Sequence, residues 1–143
     1  MSRLALLMVV LVVNVSCSHP PQGTPEVNPP PGVSRFVEER SFDPAVAAAE
    51  TDFLLALRGA YGRLEAQRWK VPLDVSWEHL VTYYASQLGP EWQVDTKVSE
   101  QGSGYRRRVW RMQSSPGRAL ALAYLEVHPA DFAVLVVAQT PSD

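Results

Sequence analysis

Two apolar runs near the C-terminus decide the fold of this chain: RALALAYLEV at residues 118–127 and DFAVLVVAQ at residues 131–139. Apolar residues fill successive positions in both runs, so a strand built from either one is apolar on both of its faces. Strands of this kind lie at the centre of a sheet or under a well-covered surface. The turn residues His128-Pro129-Ala130 separate the two runs, which predicts an antiparallel pair.

Two more turn signals extend this pair towards the N-terminus. They are Gln101-Gly102-Ser103-Gly104 and Ser114-Ser115-Pro116-Gly117, and they bound strands predicted at residues 92–100 and 105–113. Connections this short imply an antiparallel meander of four strands. A fifth strand is predicted at residues 63–71, where an imperfect alternation ends at a proline.

Two helices are predicted upstream of the meander. Asp43 can cap the first, at residues 44–58, and Pro44 suits its first position. The second begins after the N-cap Ser76 and stops before Gly89-Pro90. Each helix has one apolar face, formed by Val46, Ala49, Phe53 and Leu57 in the first and by Trp77, Leu80, Val81, Tyr84 and Leu88 in the second.

These elements predict an α+β fold. The sequence favours an antiparallel four- or five-stranded meander sheet with one or two helices packed on one face. Residues 35–143 are predicted to form this single small domain.

The N-terminus carries a targeting signal. Residues 4–13 are uninterruptedly apolar and follow Arg3, and this run is about half the roughly 20 residues that a membrane-spanning helix needs. It is therefore predicted to be the core of a signal peptide at residues 1–16. A soluble secreted protein and an uncleaved membrane anchor are the alternatives at this point.

The segment Asn14-Val15-Ser16-Cys17 resembles the lipobox of bacterial lipoproteins. The small Ser16 stands just before the cysteine, as in that family, whereas Asn14 stands where a leucine-like residue is usual. The resemblance implies that Cys17 receives a lipid (palmitate among its acyl chains) and becomes the new N-terminus. It also implies a cell membrane or outer membrane location, with the domain facing the periplasm or the exterior; Ser18 fits the outer membrane.

A proline-rich segment follows the cysteine. Residues 18–34 read SHPPQGTPEVNPPPGVS, with hardly any large apolar side chain. Such a composition favours an extended chain without a core. Residues 17–34 are therefore predicted to be a disordered, lipid-anchored tether.

Composition excludes several kinds of function. The formal net charge of -2 gives no general attraction to nucleic acid, and one cysteine cannot form an intramolecular disulfide. The three histidines lack metal-ligand spacing, and no nucleophile, phosphate-binding or dinucleotide motif is present. We therefore expect no enzyme activity, no metal and no cofactor.

The strongest candidate for binding is the run Tyr105-Arg106-Arg107-Arg108-Val109-Trp110-Arg111, because arginines interleaved with aromatics can hold anions or polymers. A four-residue loop at 101–104 would place Asp95 opposite Trp110. Asp95, Arg106 and Arg108 would then face solvent, whereas Val94, Arg107 and Arg111 would point to the apolar side. Tyr83, at the margin of a helix face, is a further candidate contact. The favoured alternative to binding is a structural role, in which the arginines lie on an ordinary solvated strand and the aromatic side chains fill the core.

Together these features predict a non-enzymatic, lipid-anchored protein of the cell envelope whose domain binds a protein or an envelope polymer. One alternative is an envelope hydrolase whose residues meet only in three dimensions. Another is an assembly accessory that binds partners through an open sheet edge or the strand at residues 106–111.

Overall fold

The computed structural model describes residues 25–37, 43–99, 104–127 and 130–142. The predicted signal peptide, the lipidation site Cys17 and the start of the tether lie outside these residues, so they stay predictions. Within the described ranges, no helix combines the length and the apolar character needed to cross a bilayer.

The chain forms one antiparallel sheet of six strands in the order β1-β2-β6-β5-β4-β3, together with two helices. The α+β class and the meander from β3 to β6 are confirmed, but the sheet has six strands rather than four or five. The extra strand has only two residues, too few to show a periodicity in sequence. The elements are β1 (Ser34–Arg35), α1 (Pro44–Tyr61), β2 (Glu65–Pro72), α2 (Trp77–Ser86), β3 (Trp92–Val94), β4 (Arg106–Met112), β5 (Ala119–Glu126) and β6 (Phe132–Gln139).

The two helices cover opposite faces of the sheet, so the predicted packing on a single face was wrong. Along β5, Ala121 and Ala123 belong to a core that includes Phe53 of α1. Leu120 and Leu122, which alternate with these alanines along the strand, belong to a second core that includes Leu80 of α2. Because β5 and β6 are apolar on both faces, each face needs its own cover.

The helix ends follow the local chemistry of the sequence. The Asp43 carboxylate accepts a hydrogen bond from the Ala45 amide at 2.8 Å, and the Ser76 hydroxyl accepts one from the His79 amide at 3.1 Å. Helix α1 continues past the predicted end at Arg58 and stops at Gly62, whose φ of 71° favours glycine. The predicted apolar faces of both helices are confirmed as buried or partly buried.

The register between β3 and β4 differs by one residue from the predicted hairpin. Val94, rather than Asp95, lies opposite Trp110, and the Asp95 amide donates to the Val109 carbonyl at 2.9 Å. A shift of one residue moves side chains to the other face of a sheet. Asp95 is therefore buried at 8% exposure under α1, whereas Val94, predicted to be core, is 37% exposed.

Residues 26–33, which we call the strap, lie against α2. The Gln87 side chain accepts from the Asn28 amide at 2.8 Å and donates to the Asn28 carbonyl at 3.1 Å. The Tyr83 hydroxyl donates to the Pro29 carbonyl at 3.2 Å, and Val27 and Val33 pack on the core beneath α2. The described part of the predicted disordered tether is thus bound to the domain, because these side chains satisfy its backbone groups.

Candidate functional site

The arginine run does not form one surface. Side chains alternate along β4, so Arg106 and Arg108 share a face with the buried Trp110, beneath α2. Arg107 and Arg111 lie on the opposite face, with Val109 and α1. The predicted division of these cations, with Arg106 and Arg108 on one side of the strand and Arg107 and Arg111 on the other, is confirmed.

On the α1 face, the arginines contact neutral polar groups. Arg107 Nη1 lies 3.5 Å from the Tyr105 hydroxyl, which donates to Asp52 Oδ2 at 2.7 Å. Arg111 Nε and Nη2 each lie 3.2 Å from the Gln93 amide oxygen when that amide is turned to accept. These contacts are local: Arg111 and Gln93 line a small open pocket with Met112, Gln113 and Pro116, and Arg107 is not among the residues that line it.

On the α2 face, the candidates are dispersed as well. Arg106 Nη1 lies 3.5 Å from Glu78 Oε1 in an exposed ion pair. Trp110 is only 4% exposed, so it belongs to the core and offers no ring for stacking. Tyr83 is half-buried and contacts the strap. The predicted binding residues therefore form no common site in the described structure.

The outer strands of the described sheet are β1, with two residues, and β3, with three. Strand addition by a partner needs a long row of unpaired backbone groups. Within the described residues, β1 pairs with only two residues of β2 and β3 with only three of β4, so both longer strands extend beyond their outer partners and the sheet-edge alternative stays a prediction.

A different site lies between the strap and the sheet. This strap cleft has a volume of about 240 Å³. Strands β2 and β6 form its floor, and the strap and α2 form its walls. Its lining residues are Glu26, Val27, Asn28, Pro29, Glu65, Gln67, Trp69, Tyr84, Val137 and Gln139.

The register of β2 and β6 determines the polar floor of the cleft. Glu65 lies opposite Gln139, and Gln67 lies opposite Val137. All four side chains are on the α2 face, because the intervening residues of β6 pack under α1. A carboxylate and two amides thus stand together at one end of the sheet.

Gln139 Oε1 is a buried acceptor without a hydrogen-bond partner in the structure. An unpaired buried acceptor costs on the order of 1–3 kcal/mol, so such atoms are rare unless something else supplies a donor. Gln139 lines the strap cleft, but its Oε1 has almost no accessible surface, so a molecule in the cleft does not reach this atom.

Two aromatic side chains complete the cleft. Trp69 is half-buried on β2, and Tyr84 of α2 is 1% exposed. Burial, with a smaller contribution from the neighbouring Tyr83, raises the pKa of Tyr84, so its phenol stays protonated at neutral pH. The cleft therefore combines the half-buried ring of Trp69 with polar acceptors, whereas the ring of Tyr84 belongs to the core.

No metal site is apparent in the described ranges, where no three His, Cys, Asp or Glu side chains cluster. The strap cleft offers two carboxylates, Glu26 and Glu65, and its lining contains no lysine, arginine or histidine. Sequence reasoning missed these residues. The polar positions 65, 67 and 69 along β2 were visible, but only the docked strap turns them into a cleft.

Comparison with protein-family models, with curated proteins and with solved structures found no match for this chain. The class of the protein is therefore defined by its own architecture, a six-stranded antiparallel sheet between two helices with a strapped cleft beside one of them.

Proposed function

We propose that this chain is an exported lipoprotein, anchored through Cys17, whose domain is a non-catalytic binding module of the cell envelope. Its ligand is a protein or an envelope polymer, and part of that ligand occupies the strap cleft. The observation that supports the binding site is the strap cleft itself, which Glu26, Glu65 and Gln67 line beside the half-buried Trp69.

The distance from anchor to cleft supports this arrangement. The described domain begins at Pro25, and the strap starts one residue later. Eight positions separate Cys17 from Pro25, and a polyproline chain of that length would reach about 25 Å. The cleft would therefore lie close to the membrane surface and would meet ligands within that layer.

Intact mass of the membrane-extracted protein tests the anchor. The wild type is expected to carry a mass increment equal to its acyl chains and to sediment with membranes. Cys17→Ala should lose both properties, whereas Ser18→Ala should keep them. An unmodified, soluble wild-type chain would contradict the anchor while leaving the cleft to be tested separately.

Site-specific crosslinking tests the cleft. A photo-reactive amino acid in place of Gln67, in the floor, is expected to capture one envelope component in cells. The matched control is Ala60, which is exposed on α1, on the other side of the sheet. The same products from both positions, or none from position 67, would rule the cleft out as the binding site.

A hydrolase is the second candidate, favoured by one observation: two carboxylates, Glu26 and Glu65, line the same cleft. Glycoside hydrolysis commonly uses two carboxyl groups that flank the bond to be cleaved. Purified chain would then release reducing ends from isolated envelope polysaccharide, and Glu65→Gln would abolish that release. Equal release by wild type and Glu65→Gln would eliminate this candidate.

A further inference from the structure

We infer that the surface beneath the strap binds an extended, proline-rich segment of a partner protein, and that the strap competes with this segment for the same place. This inference rests on the proposed binding function and specifies its protein ligand. It follows from the conformation of the strap, from the atoms by which the domain holds it and from the space left beneath it.

The conformation of the strap is the first step. Residues 28–31 read NPPP; proline fixes its own φ near about −65° and keeps the residue before it out of the helical region, so this run is extended. Residues 25–30 accordingly belong to no helix or strand. Gly32, with a φ of 85°, ends the run in a turn in which the Val33 amide donates to the Pro30 carbonyl at 3.4 Å. The strap is thus an extended proline-rich peptide that lies on the domain.

The surface that holds the strap is the second step. We call it the strap groove; it is formed by Trp69, Tyr83 and Gln87. The Gln87 amide bonds both backbone groups of Asn28, and the Tyr83 hydroxyl donates to the Pro29 carbonyl, while Trp69 and Pro29 line the same cleft. Grooves lined by aromatic side chains are a common means of binding polyproline segments. Because these hydrogen bonds go to backbone atoms, another extended segment of similar sequence can form them.

The incomplete fit of the strap is the third step. The strap cleft leaves about 240 Å³ between the strap and the sheet, whereas protein interiors are closely packed with few voids. Pro30 is the one buried residue of the strap; Val27 is half-buried and the Asn28 side chain is exposed. A partner segment with longer side chains at these two positions would fill the cleft and bury more surface than the strap does.

Competition by the strap sets the affinity for the partner. A short flexible connection gives a tethered segment an effective concentration on the order of mM. The apparent affinity for a segment from outside is lowered by the fraction of molecules in which the groove is open. The partner segment therefore binds only when its contacts, including those in the cleft, exceed those of the strap.

Fluorescence anisotropy tests this inference on the full chain in detergent micelles. The probe is a labelled peptide with the sequence of the strap, EVNPPPGV from residues 26–33. Pro30→Asp places a carboxylate at the buried position of the strap and releases it without changing a residue of the groove. Pro116→Asp makes the same change at an exposed proline between β4 and β5 and is the matched control. Urea unfolding verifies that both variants are folded.

Pro30→Asp is expected to bind the peptide saturably and at least about tenfold more tightly than the wild type and Pro116→Asp, whose own straps compete. A peptide with alanines in place of its three prolines should bind at least about tenfold more weakly, because it lacks the preformed extended conformation. Adding Gln87→Ala to Pro30→Asp should weaken binding by about tenfold or more, since two hydrogen bonds are lost.

Hydrogen exchange in the wild-type chain is a second measurement that needs no release variant. A large excess of the peptide should displace the strap and accelerate exchange at the Asn28 amide, which donates to Gln87 when the strap is docked. The alanine peptide at the same concentration should leave this exchange rate unchanged.

Three outcomes would overturn the inference. One is no binding of the peptide by folded Pro30→Asp together with unchanged exchange in the wild type. Another is equal binding of the proline and alanine peptides, which would show that the groove does not recognise a proline-rich segment. The third is a wild-type dimer that dissociates in Pro30→Asp, which would assign the groove to the strap of a second copy. Crosslinking from position 67 reports on the proposed function separately, since its products do not depend on any of these results.

Discussion

The buried carboxylate of Asp95 accepts a hydrogen bond from the hydroxyl of Tyr61, which joins the last residue of α1 to the residue that follows β3. The same aspartate holds the turn behind it. Its Oδ1 accepts from the Lys97 amide at 3.1 Å, and its carbonyl accepts from the Ser99 amide at 3.0 Å. One residue thus connects a helix to the edge of the sheet.

Asp95→Ala should destabilise the protein by about 2–4 kcal/mol, because it leaves the Tyr61 hydroxyl and the Lys97 amide without their acceptor. Urea unfolding measures this change. Tyr61→Phe, which keeps the ring, should lower the free energy of unfolding by less than Asp95→Ala does. In the double variant, the loss of unfolding free energy should be smaller than the sum of the two single losses by about 0.5–3 kcal/mol. A loss equal to that sum would show that the two side chains do not interact.

The ion pair between Glu50 of α1 and Arg68 of β2 gives a second prediction. Arg68 Nε and Nη2 bond the two carboxylate oxygens at 2.5 and 2.9 Å, and the side chains are only 11% and 33% exposed for Glu50 and Arg68 respectively. Glu50→Gln should lower the free energy of unfolding by about 1–3 kcal/mol, as expected for partly buried charged hydrogen bonds.

Glu78→Gln provides the matched control for this pair. Its partner Arg106 lies 3.5 Å away, and the side chains are 76% and 47% exposed. Solvent screens such a pair, so the change in unfolding free energy should stay below about 0.5 kcal/mol. If Glu50→Gln and Glu78→Gln lowered the free energy of unfolding equally, the Glu50–Arg68 pair would not have the stabilising role assigned to it.

The docking of the strap against α2 depends on the side chain of Gln87. Its side chain makes two hydrogen bonds to the backbone of Asn28, so Gln87→Ala should weaken docking by about 1–3 kcal/mol. Hydrogen exchange at the Asn28 amide measures this directly and should accelerate about tenfold or more. Gln113→Ala changes an exposed glutamine elsewhere and should leave the Asn28 amide unaffected; unchanged exchange in Gln87→Ala would contradict the docked strap.

Alkaline pH should destabilise the fold. Burial raises the pKa of Tyr61, Tyr84, Tyr105 and Tyr124, and the carboxylates of Asp95 and Asp52 raise it further for Tyr61 and Tyr105. Unfolded tyrosines lose their protons near pH 10, whereas the folded ones keep theirs. The stabilisation is therefore complete below about pH 10 and is lost as pH rises through the higher folded values.

Urea unfolding at about pH 8 and about pH 11, with tyrosinate absorbance as a second reading, measures this dependence. Tyr61→Phe should lose less unfolding free energy between the two pH values than the wild type, since it removes one of the groups whose pKa is raised. A free energy of unfolding that stays constant over this range would contradict the raised pKa values.

Local patterns predicted most elements of the fold. The apolar runs of β5 and β6, the caps Asp43 and Ser76, and the buried faces of both helices follow from periodicity and hydrogen-bonding chemistry within a few residues. The turn signals also implied the meander, because a short connection forces neighbouring strands to pair antiparallel.

The register and the cleft could not be predicted in the same way. A hairpin that continues regularly places Asp95 in solvent, whereas β3 ends after three residues and a tight turn follows. Strand alternation does predict the division of the arginines between two faces, whereas the burial of Trp110 beneath α2 depends on tertiary packing. The burial of Asp95 has no such local signature.

The sequence by itself determined most of the helical and extended segments and the α+β class, because each depends on a short run of neighbouring residues. The address at Cys17 rests on such a run as well and stays a prediction. Only the tertiary structure decided that the helices cover opposite faces and that the strap docks on Gln87. It also brought Glu26, Glu65 and Gln139 into one cleft. These relationships join residues up to 113 positions apart along the chain (Gln139 minus Glu26), and such contacts depend on three-dimensional packing and leave no periodic trace in the sequence.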